Sequence, residues 1–449
     1  MAGSIPAAPP LIPPATSNAV EVTAFFVSSQ HLECPATIYL LANGSPRSRG
    51  TDPDCIRTAS PGLQGKNGMD NLRKIRTDVI GSLLRPPAWK EARTRLDQGK
   101  LDPDAFRRIE DDEIRKAVLL QESIGLDVVT DGEMRRLNFQ DSFGMSVEGY
   151  DAGRDSLALH ERRSEGASPL QRWDIPDLEA PGTPVSHRRP VKERLRLGRN
   201  VPLEEYRFVS RIAKKPAKVT LIGPDRIGQR FDHQSSTAVY ASVDAFMDDV
   251  VALERDMIAS LVDAGCRYVQ IDAPGYTAYV DPPSLAAMRS RGEDPMENFE
   301  RSLAADARLI AGYPGVTFGI HLCRGNQRSM WHREGTYDAI AERLFSELPH
   351  DRFLLEYDSP RAGSFAPLRF VPKGKLVVLG LISTKVPQIE SVEELVRRID
   401  EAGKYVPLDY LAISPQCGFG SDVAGNLIGE DDQKRKLELV VETARRVWG

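Results

Sequence analysis

The chain has 449 residues, 41% of them hydrophobic and 27% charged, with 59 basic and 64 acidic side chains and a formal net charge of −5. This is globular composition, which excludes a fibre or an intrinsically disordered chain. The near balance of charge argues against nucleic-acid or membrane-surface binding driven by net charge, and no stretch approaches eighteen consecutive apolar residues, so no spanning helix is expected.

The length suits two or three small domains, or one large α/β barrel with extensions. The cysteines, at positions 34, 55, 266, 323 and 417, are odd in number and irregular in spacing. A secreted disulfide framework does not look like this, so a reducing, cytoplasmic setting is expected. The N-terminus has neither the basic n-region nor the compact apolar h-region of a signal peptide.

Residues 1–70 are rich in Pro, Gly, Ser, Ala and Thr and keep no sustained period. They are expected to be a low-complexity, disordered extension, although short apolar pieces such as Ala24 to Val27 and Ile38 to Leu41 could pair as strands. Met69 begins the first strongly patterned stretch.

From Asn71 helix and strand signals alternate. Leu101 to Gly125 is a helix candidate with Phe106, Ile109, Ile114 and Val118 on one stripe and Pro103 near its start. It leads into the short strand Asp127 to Thr130, which ends at Asp131-Gly132-Glu133. Ser242 to Ala264 repeats Phe246, Val250, Leu253, Met257 and Leu261 at steps of three and four, and Gly265 stops it. The strand Arg267 to Ile271 follows and ends at Asp272.

The pattern continues to the C-terminus. Helices near Met296 to Ala311 and Tyr337 to Leu348 precede strands Val316 to Ile320 and Phe353 to Leu355. Leu376 to Ile382 is a further strand. Ser391-x-x-Glu394 reads as a capping box opening a helix that closes at Gly403. Tyr410 to Ile413 is the next strand and Glu430 to Trp448 the last helix. Such alternation means βαβ units and a parallel sheet. No G-x-G-x-x-G follows a strand, which removes the main mark of dinucleotide binding. The predicted fold is a closed (β/α)8 TIM-type barrel over residues 71–449. Its alternation breaks in a polar insertion, residues 150–203, with a basic run from His187 to Arg199. That run reads either as a patch for an anionic partner or as a solvated insertion, the plainer choice because both charge signs surround it. A loop of this length can also serve as an active-site lid.

Active sites of such barrels lie at the C-terminal strand ends. There Val316 to Ile320 runs into His321-Leu322-Cys323, Phe353 to Leu355 into Glu356, and Tyr410 to Ile413 into Ser414-Pro415-Gln416-Cys417. His321 and Cys323 are two apart and point the same way at an extended strand end. One imidazole, two thiols and one carboxylate suit Zn²⁺, which takes four N, S or O ligands tetrahedrally. Singly, each has a plainer reading: a buried Cys as a small hydrophobe, a strand-end His or Glu as a hydrogen-bonded surface group. Cys266 stands at the opposite end of its strand and reads as packing.

The stretches Ile80 to Pro86 (IGSLLRP), Asp131-Gly132-Glu133, Gln270-Ile271-Asp272, His321 to Asn326 (HLCRGN), Leu355 to Asp358 (LEYD) and Ser414 to Phe419 (SPQCGF) together resemble the cobalamin-independent methionine synthase family, more closely its short single-barrel members. The resemblance covers Arg76 to Trp448. It implies zinc-dependent transfer of a methyl group to a thiol, with His321, Cys323, Glu356 and Cys417 holding the zinc. It implies that Ser82 helps to bind the carboxylate of homocysteine, that Glu133 and Asp272 hold its ammonium, and that Glu356 can yield to the incoming thiol. Without the resemblance, Glu133 and Asp272 would read equally well as strand-end or helix-capping acids and Ser82 as a turn residue. Arg324 and Asn326 are further candidates for an anionic substrate group.

Departures from the family pattern fall on the donor side. Full-length members read Glu-Pro after the acid, where this chain has Ala273-Pro274. The folate-stacking Trp after the Gly-Pro turn is absent from Gly223-Pro224-Asp225-Arg226 and Gln229-Arg230-Phe231, and a proton-shuttling His is replaced in Leu381 to Lys385. These losses count against a methyltetrahydrofolate-type donor. The expected partners are a small thiol and a methyl or alkyl donor, with no nucleic acid and no membrane. Three rivals stand beside this reading: a zinc enzyme joining a thiol such as coenzyme M to an epoxide, a barrel with a purely structural zinc site, and the metal-free uroporphyrinogen decarboxylase branch.

Overall fold

The computed structural model describes residues 74–151, 172 and 189–449. The expected extension, with its two candidate strands, Cys34 and Cys55, lies outside the described residues, as does most of the polar insertion.

In chain order the helices and strands used below are α1 (Pro87–Asp97), α2 (Pro103–Ile124), β1 (Val147–Tyr150), β2 (Val191–Leu197), α3 (Val201–Ile212), β3 (Val219–Ile222), α4 (Pro224–Gln229), α5 (Val243–Asp263), β4 (Tyr268–Asp272), α6 (Pro282–Ser290), α7 (Pro295–Ile310), β5 (Thr317–Leu322), α8 (Ala341–Glu347), β6 (Arg352–Glu356), β7 (Leu376–Ile382), α9 (Val392–Ala402), β8 (Leu411–Pro415) and α10 (Glu430–Trp448). Strands β3 to β8 form one parallel sheet in sequence order. Each is buried along almost its whole length, as in β7 (LVVLGLI). That burial on both faces explains why parallel strands read as unbroken apolar runs.

Two shorter extended segments close the sheet into a barrel. Around Thr77, Ile413 N donates to Arg76 O at 2.9 Å and Asp78 N to Ile413 O at 3.0 Å, so this first segment lies beside β8. Around Val129, Val129 N donates to Pro216 O at 3.0 Å and Lys218 N to Val129 O at 2.9 Å, so the second lies beside β3. Leu83 N to Gly132 O (3.0 Å) and Thr130 Oγ1 to Gly81 O (2.7 Å) join the two to each other. Eight segments thus complete the (β/α)8 cycle.

The helices start and stop where local chemistry says they should. The Asp102 carboxylate accepts from Asp104 N and Ala105 N to open α2, and Gly125 at φ 97° ends it. Ser242 caps α5, which buries Phe246, Val250, Met257 and Leu261. The capping box at α9 is only half present: Ser391 Oγ accepts from Glu394 N, but the Glu394 carboxylate turns outward to Arg397. Among the described residues, no helix is long and apolar enough to cross a membrane.

The insertion is narrower than the sequence suggested. Val191–Leu197 is a strand paired antiparallel with β1, and α3 already begins at Val201. The described part of the basic run is matched by acids: Arg194 with Asp249, Arg196 with Glu148 and Arg199 with Glu204. It is a solvated, charge-paired ribbon. Strand β3, just four residues long, and helix α3 went unanticipated because each sits between polar segments.

Below the rim the barrel interior is polar. Asp78, Lys218, Tyr268, Gln270 and Arg352 are all buried, and each makes a bond to a segment that is not its neighbour in the sheet, which only inward-facing side chains can do.

Candidate active site

Inward positions recur every second residue along a strand. On β4 they are Tyr268, Gln270 and Asp272. On β5 they are Gly319 and His321, with Cys323 just beyond its end, and on β6 Arg352, Leu354 and Glu356. The uppermost of each reaches the C-terminal rim, where the loop after β8 brings Cys417.

There His321, Cys323 and Cys417 offer one ligand atom each, all within 4.8 Å of one another, and all three are buried. The Cys417 and Cys323 sulfurs are 3.9 Å apart. His321 Nδ1 is 3.2 Å from the Leu354 carbonyl, which assigns it the proton. Nε2 is then left as a buried acceptor with no hydrogen-bond partner among the described residues. An imidazole oriented in this way through its other nitrogen is the usual arrangement of a metal ligand. The hydrogen bond from Cys323 outweighs burial and holds the Cys417 thiol well below its ordinary range. Cys323 is pushed up by that same bond and by burial. The two sulfurs hold one proton between them more readily than two, which suits a thiolate donor pair.

Glu356 stands apart from this cluster. It is fully buried at the end of β6, but one carboxylate oxygen accepts from Arg324 N and the other lies 3.4 Å from Arg361 Nη2. The structure therefore brings three of the four expected ligands together and places the fourth on an adjacent strand, held by two donors.

Ser82, Glu133 and Asp272 line the same cleft as the three ligands, together with Arg226, Asn326, His332 and Arg333. The loops that form it approach closely: a Cβ on Gly81 would collide with the Glu133 carboxylate, and one on Gly418 with the Ser82 hydroxyl. Glu133 sits at φ 54°, left-handed backbone rare for a residue with a side chain and characteristic of functional turns. Its Oε1 accepts from Thr220 Oγ1 at 2.8 Å, and its Oε2 is buried with no hydrogen-bond partner among the described residues. Arg136, clamped by Glu205, lies 3.8 Å from Oε1. Asp272 Oδ1 accepts from Gln270 Nε2 at 2.6 Å. Burial raises both carboxyls, Asp272 to about 7, with the charge of Glu133 adding to the rise of Asp272 and that of Asp131 to the rise of Glu133. Two buried acids face one cavity, and Glu133 keeps an Oε2 without a hydrogen bond among the described residues, an arrangement suited to a cationic group.

Arg324 does not serve the cavity. Its guanidinium lies over the Tyr337 ring and donates to Gly335 O at 2.8 Å, so the expectation of an anion contact there is corrected. Asn326 does line the cleft, bonded to Gly418 O and Asn426. Cys266 is buried at the far end of β4 with its thiol pushed up to about 12 by burial, as expected of a packing residue. The sequence reading missed Arg226, on the short helix α4, and Arg333, in an irregular loop, since neither stretch is long enough or regular enough to show a period. It also missed Gln270, whose place two residues before Asp272 on one strand face was a usable signal.

The profile of the family described as cobalamin-independent synthase, catalytic domain, matches residues 75–166 and 203–445. The uncharacterized protein YxjH of Bacillus subtilis is 34% identical over 83% of this chain and 95% of its own length. A methionine synthase of Pyrococcus abyssi is 24% identical over 76% and 86%. The structure of a B12-independent methionine synthase from Shewanella sp. W3-18-1 has the same fold, with a TM-score of 0.61 at 20% identity over 83% of this chain and 97% of that one. With its barrel, its strand-end motifs and its profile match in agreement, the chain belongs to the cobalamin-independent methionine synthase family.

Proposed function

We propose that this protein is a zinc-dependent methyltransferase that moves a methyl group onto the thiol of homocysteine, giving methionine. The observation that carries the reading is the sharing of one cleft by a His/Cys/Cys donor set and two buried carboxylates. The nitrogen and sulfur donors favour a borderline-soft ion over Mg²⁺ or Ca²⁺. His321, Cys323 and Cys417 would hold zinc, with Glu356 as a fourth ligand that yields to the substrate. When bound, the metal supplies acidity to a coordinated thiol, whose free pKa near ~8.5 leaves it mostly protonated at neutral pH, and fixes its sulfur for attack on a methyl carbon.

The rest is the work of side chains. Glu133 and Asp272 receive the substrate ammonium, and Ser82 helps to bind its carboxylate. That leaves the thiol as the free end directed at the metal ligands. Burial excludes water around the two acids, so each carboxylate–ammonium contact is stronger than it would be in solution.

The same carboxylates favour this reading over the rivals. A thiol such as coenzyme M carries a permanent sulfonate and no ammonium, so it would bring an anion against Glu133 and Asp272. A closed structural zinc site has no need of a cleft lined by two acids, and the decarboxylase branch has no use for three convergent metal-type ligands. The experiment is a turnover screen on zinc-loaded protein: homocysteine with several methyl donors, against an epoxide with other thiols. Methionine formation is expected, and a product from the epoxide alone would overturn the assignment.

A further inference from the structure

Gln270 lies directly beneath Asp272 on the inner face of β4 and is fully buried. Its amide is bonded at both ends. Oε1 accepts from Lys218 Nζ at 2.7 Å, and Nε2 donates to Asp272 Oδ1 at 2.6 Å and to Ile80 O at 2.7 Å. Lys218 in turn donates to Asp78 Oδ1 at 2.7 Å and to Val79 O. Asp78 Oδ2 accepts from Tyr268 OH at 2.7 Å and from Arg352 Nη2 at 3.2 Å.

In this interior layer one carboxylate, Asp78, faces two cations, Lys218 and Arg352, and buried charge is tolerated only when it is paired. Asp272 is the next anion above them, reached through Gln270. Burial presses the Lys218 ammonium below its ordinary range, and Asp78 and Asp272 act against that. The layer also fixes which way the amide points. Flipped, it would set its NH₂ against the Lys218 ammonium and its oxygen against the Asp272 carboxylate and the Ile80 carbonyl, so only the observed orientation satisfies all three neighbours.

We propose that Gln270, oriented from below by Lys218, is a positioning residue that fixes the Asp272 carboxylate for the amino group of the thiol substrate and so sets selectivity for an amino-acid thiol. This rests on the reading that Asp272 receives a substrate ammonium. Among the described residues no side-chain hydrogen bond joins the chain from Lys218 to Asp272 to His321, Cys323 or Cys417, so the main effect falls on recognition of the amine.

The test measures binding of homocysteine, and of the same thiol acid without its amine (mercaptobutyrate), to zinc-loaded wild type, Gln270→Met and Gln270→Glu, with zinc content and thermal melts alongside. Wild type is expected to prefer homocysteine. Gln270→Met should lower that preference roughly tenfold, the effect of one lost hydrogen bond to a charged group, with mercaptobutyrate binding and zinc content unchanged. Gln270→Glu keeps the shape and the Lys218 contact but opposes a carboxylate to Asp272, so it should lose at least as much, and it decides the matter if Gln270→Met does not fold. A wild-type preference kept intact in the folded variant overturns the positioning role. A wild type with no preference overturns the ammonium reading itself, and the two failures are told apart by the wild-type measurement alone.

Discussion

The sulfurs of Cys323 and Cys417 lie 3.9 Å apart and buried, although 94 residues separate them in the chain. They sit on loops after β5 and β8, outside the packed interior of the barrel. Cys417→Ser should therefore lower zinc affinity by roughly 10–100-fold or more and abolish most activity, while far-UV circular dichroism stays that of wild type. Loss of folding in that variant would mark the site as structural.

The same spacing predicts the behaviour of the stripped protein. A disulfide needs its sulfurs at about 2.05 Å, a short approach from their present separation. After chelation and mild oxidation, intact mass should fall by two hydrogens, and digestion should recover a Cys323–Cys417 linked peptide. Zinc-loaded protein should resist the same treatment, because ligated thiolates are not free to exchange.

Glu356 is held by Arg324 N and Arg361 away from the three clustered donors. Glu356→Gln should therefore weaken zinc binding less than either cysteine change. Competition with a chromogenic chelator would rank the three variants, and a larger loss for Glu356→Gln would refute its role as the exchangeable ligand.

Glu254 on α5 is fully buried with neither carboxylate oxygen hydrogen-bonded among the described residues, and burial together with Asp306 raises it well above its ordinary range. A raised acid favours the native state only while protonated, so it costs stability as pH climbs past the unfolded value near ~4.3. Glu254→Met should stabilise the protein at pH 8 by about 1–3 kcal/mol, with the gain shrinking toward pH 4. Urea midpoints at the two pH values check this.

His350, at the opposite end of the barrel from the cleft, is the reverse case. Burial and then Lys375 push it down to about 3, and neither ring nitrogen has a hydrogen-bond partner among the described residues. Below pH ~6.5 the unfolded chain takes up a proton that the native state refuses, so stability falls with pH. Between pH 6.5 and 5 this should cost about 2 kcal/mol, and His350→Leu should flatten that part of the stability profile.

How legible the molecule was in its sequence differs from element to element. Strand β7 was read to the residue because all seven of its side chains are apolar and buried. Helices α2, α5, α7 and α10 were legible from caps and a 3.6-residue stripe. The half-formed capping box at Ser391 was overread, since Arg397 offered the Glu394 carboxylate a better partner than the helix start did. Arg324 was misassigned for a similar reason: its position after the H-x-C suggested the cleft, and the Tyr337 ring drew its guanidinium into the packing.

The chain by itself determined the alternation of strand and helix, and with it the strand ends at which His321, Cys323, Glu356 and Cys417 stand. Local period and turn chemistry are properties of neighbouring residues and survive without the fold. Which of those four meet, that Glu133 and Asp272 share their cleft, and that Gln270 ties Asp272 to a buried charge layer were decided only when the barrel closed. Distances between strands far apart in sequence come from sheet geometry and interior charge balance, which no local pattern encodes.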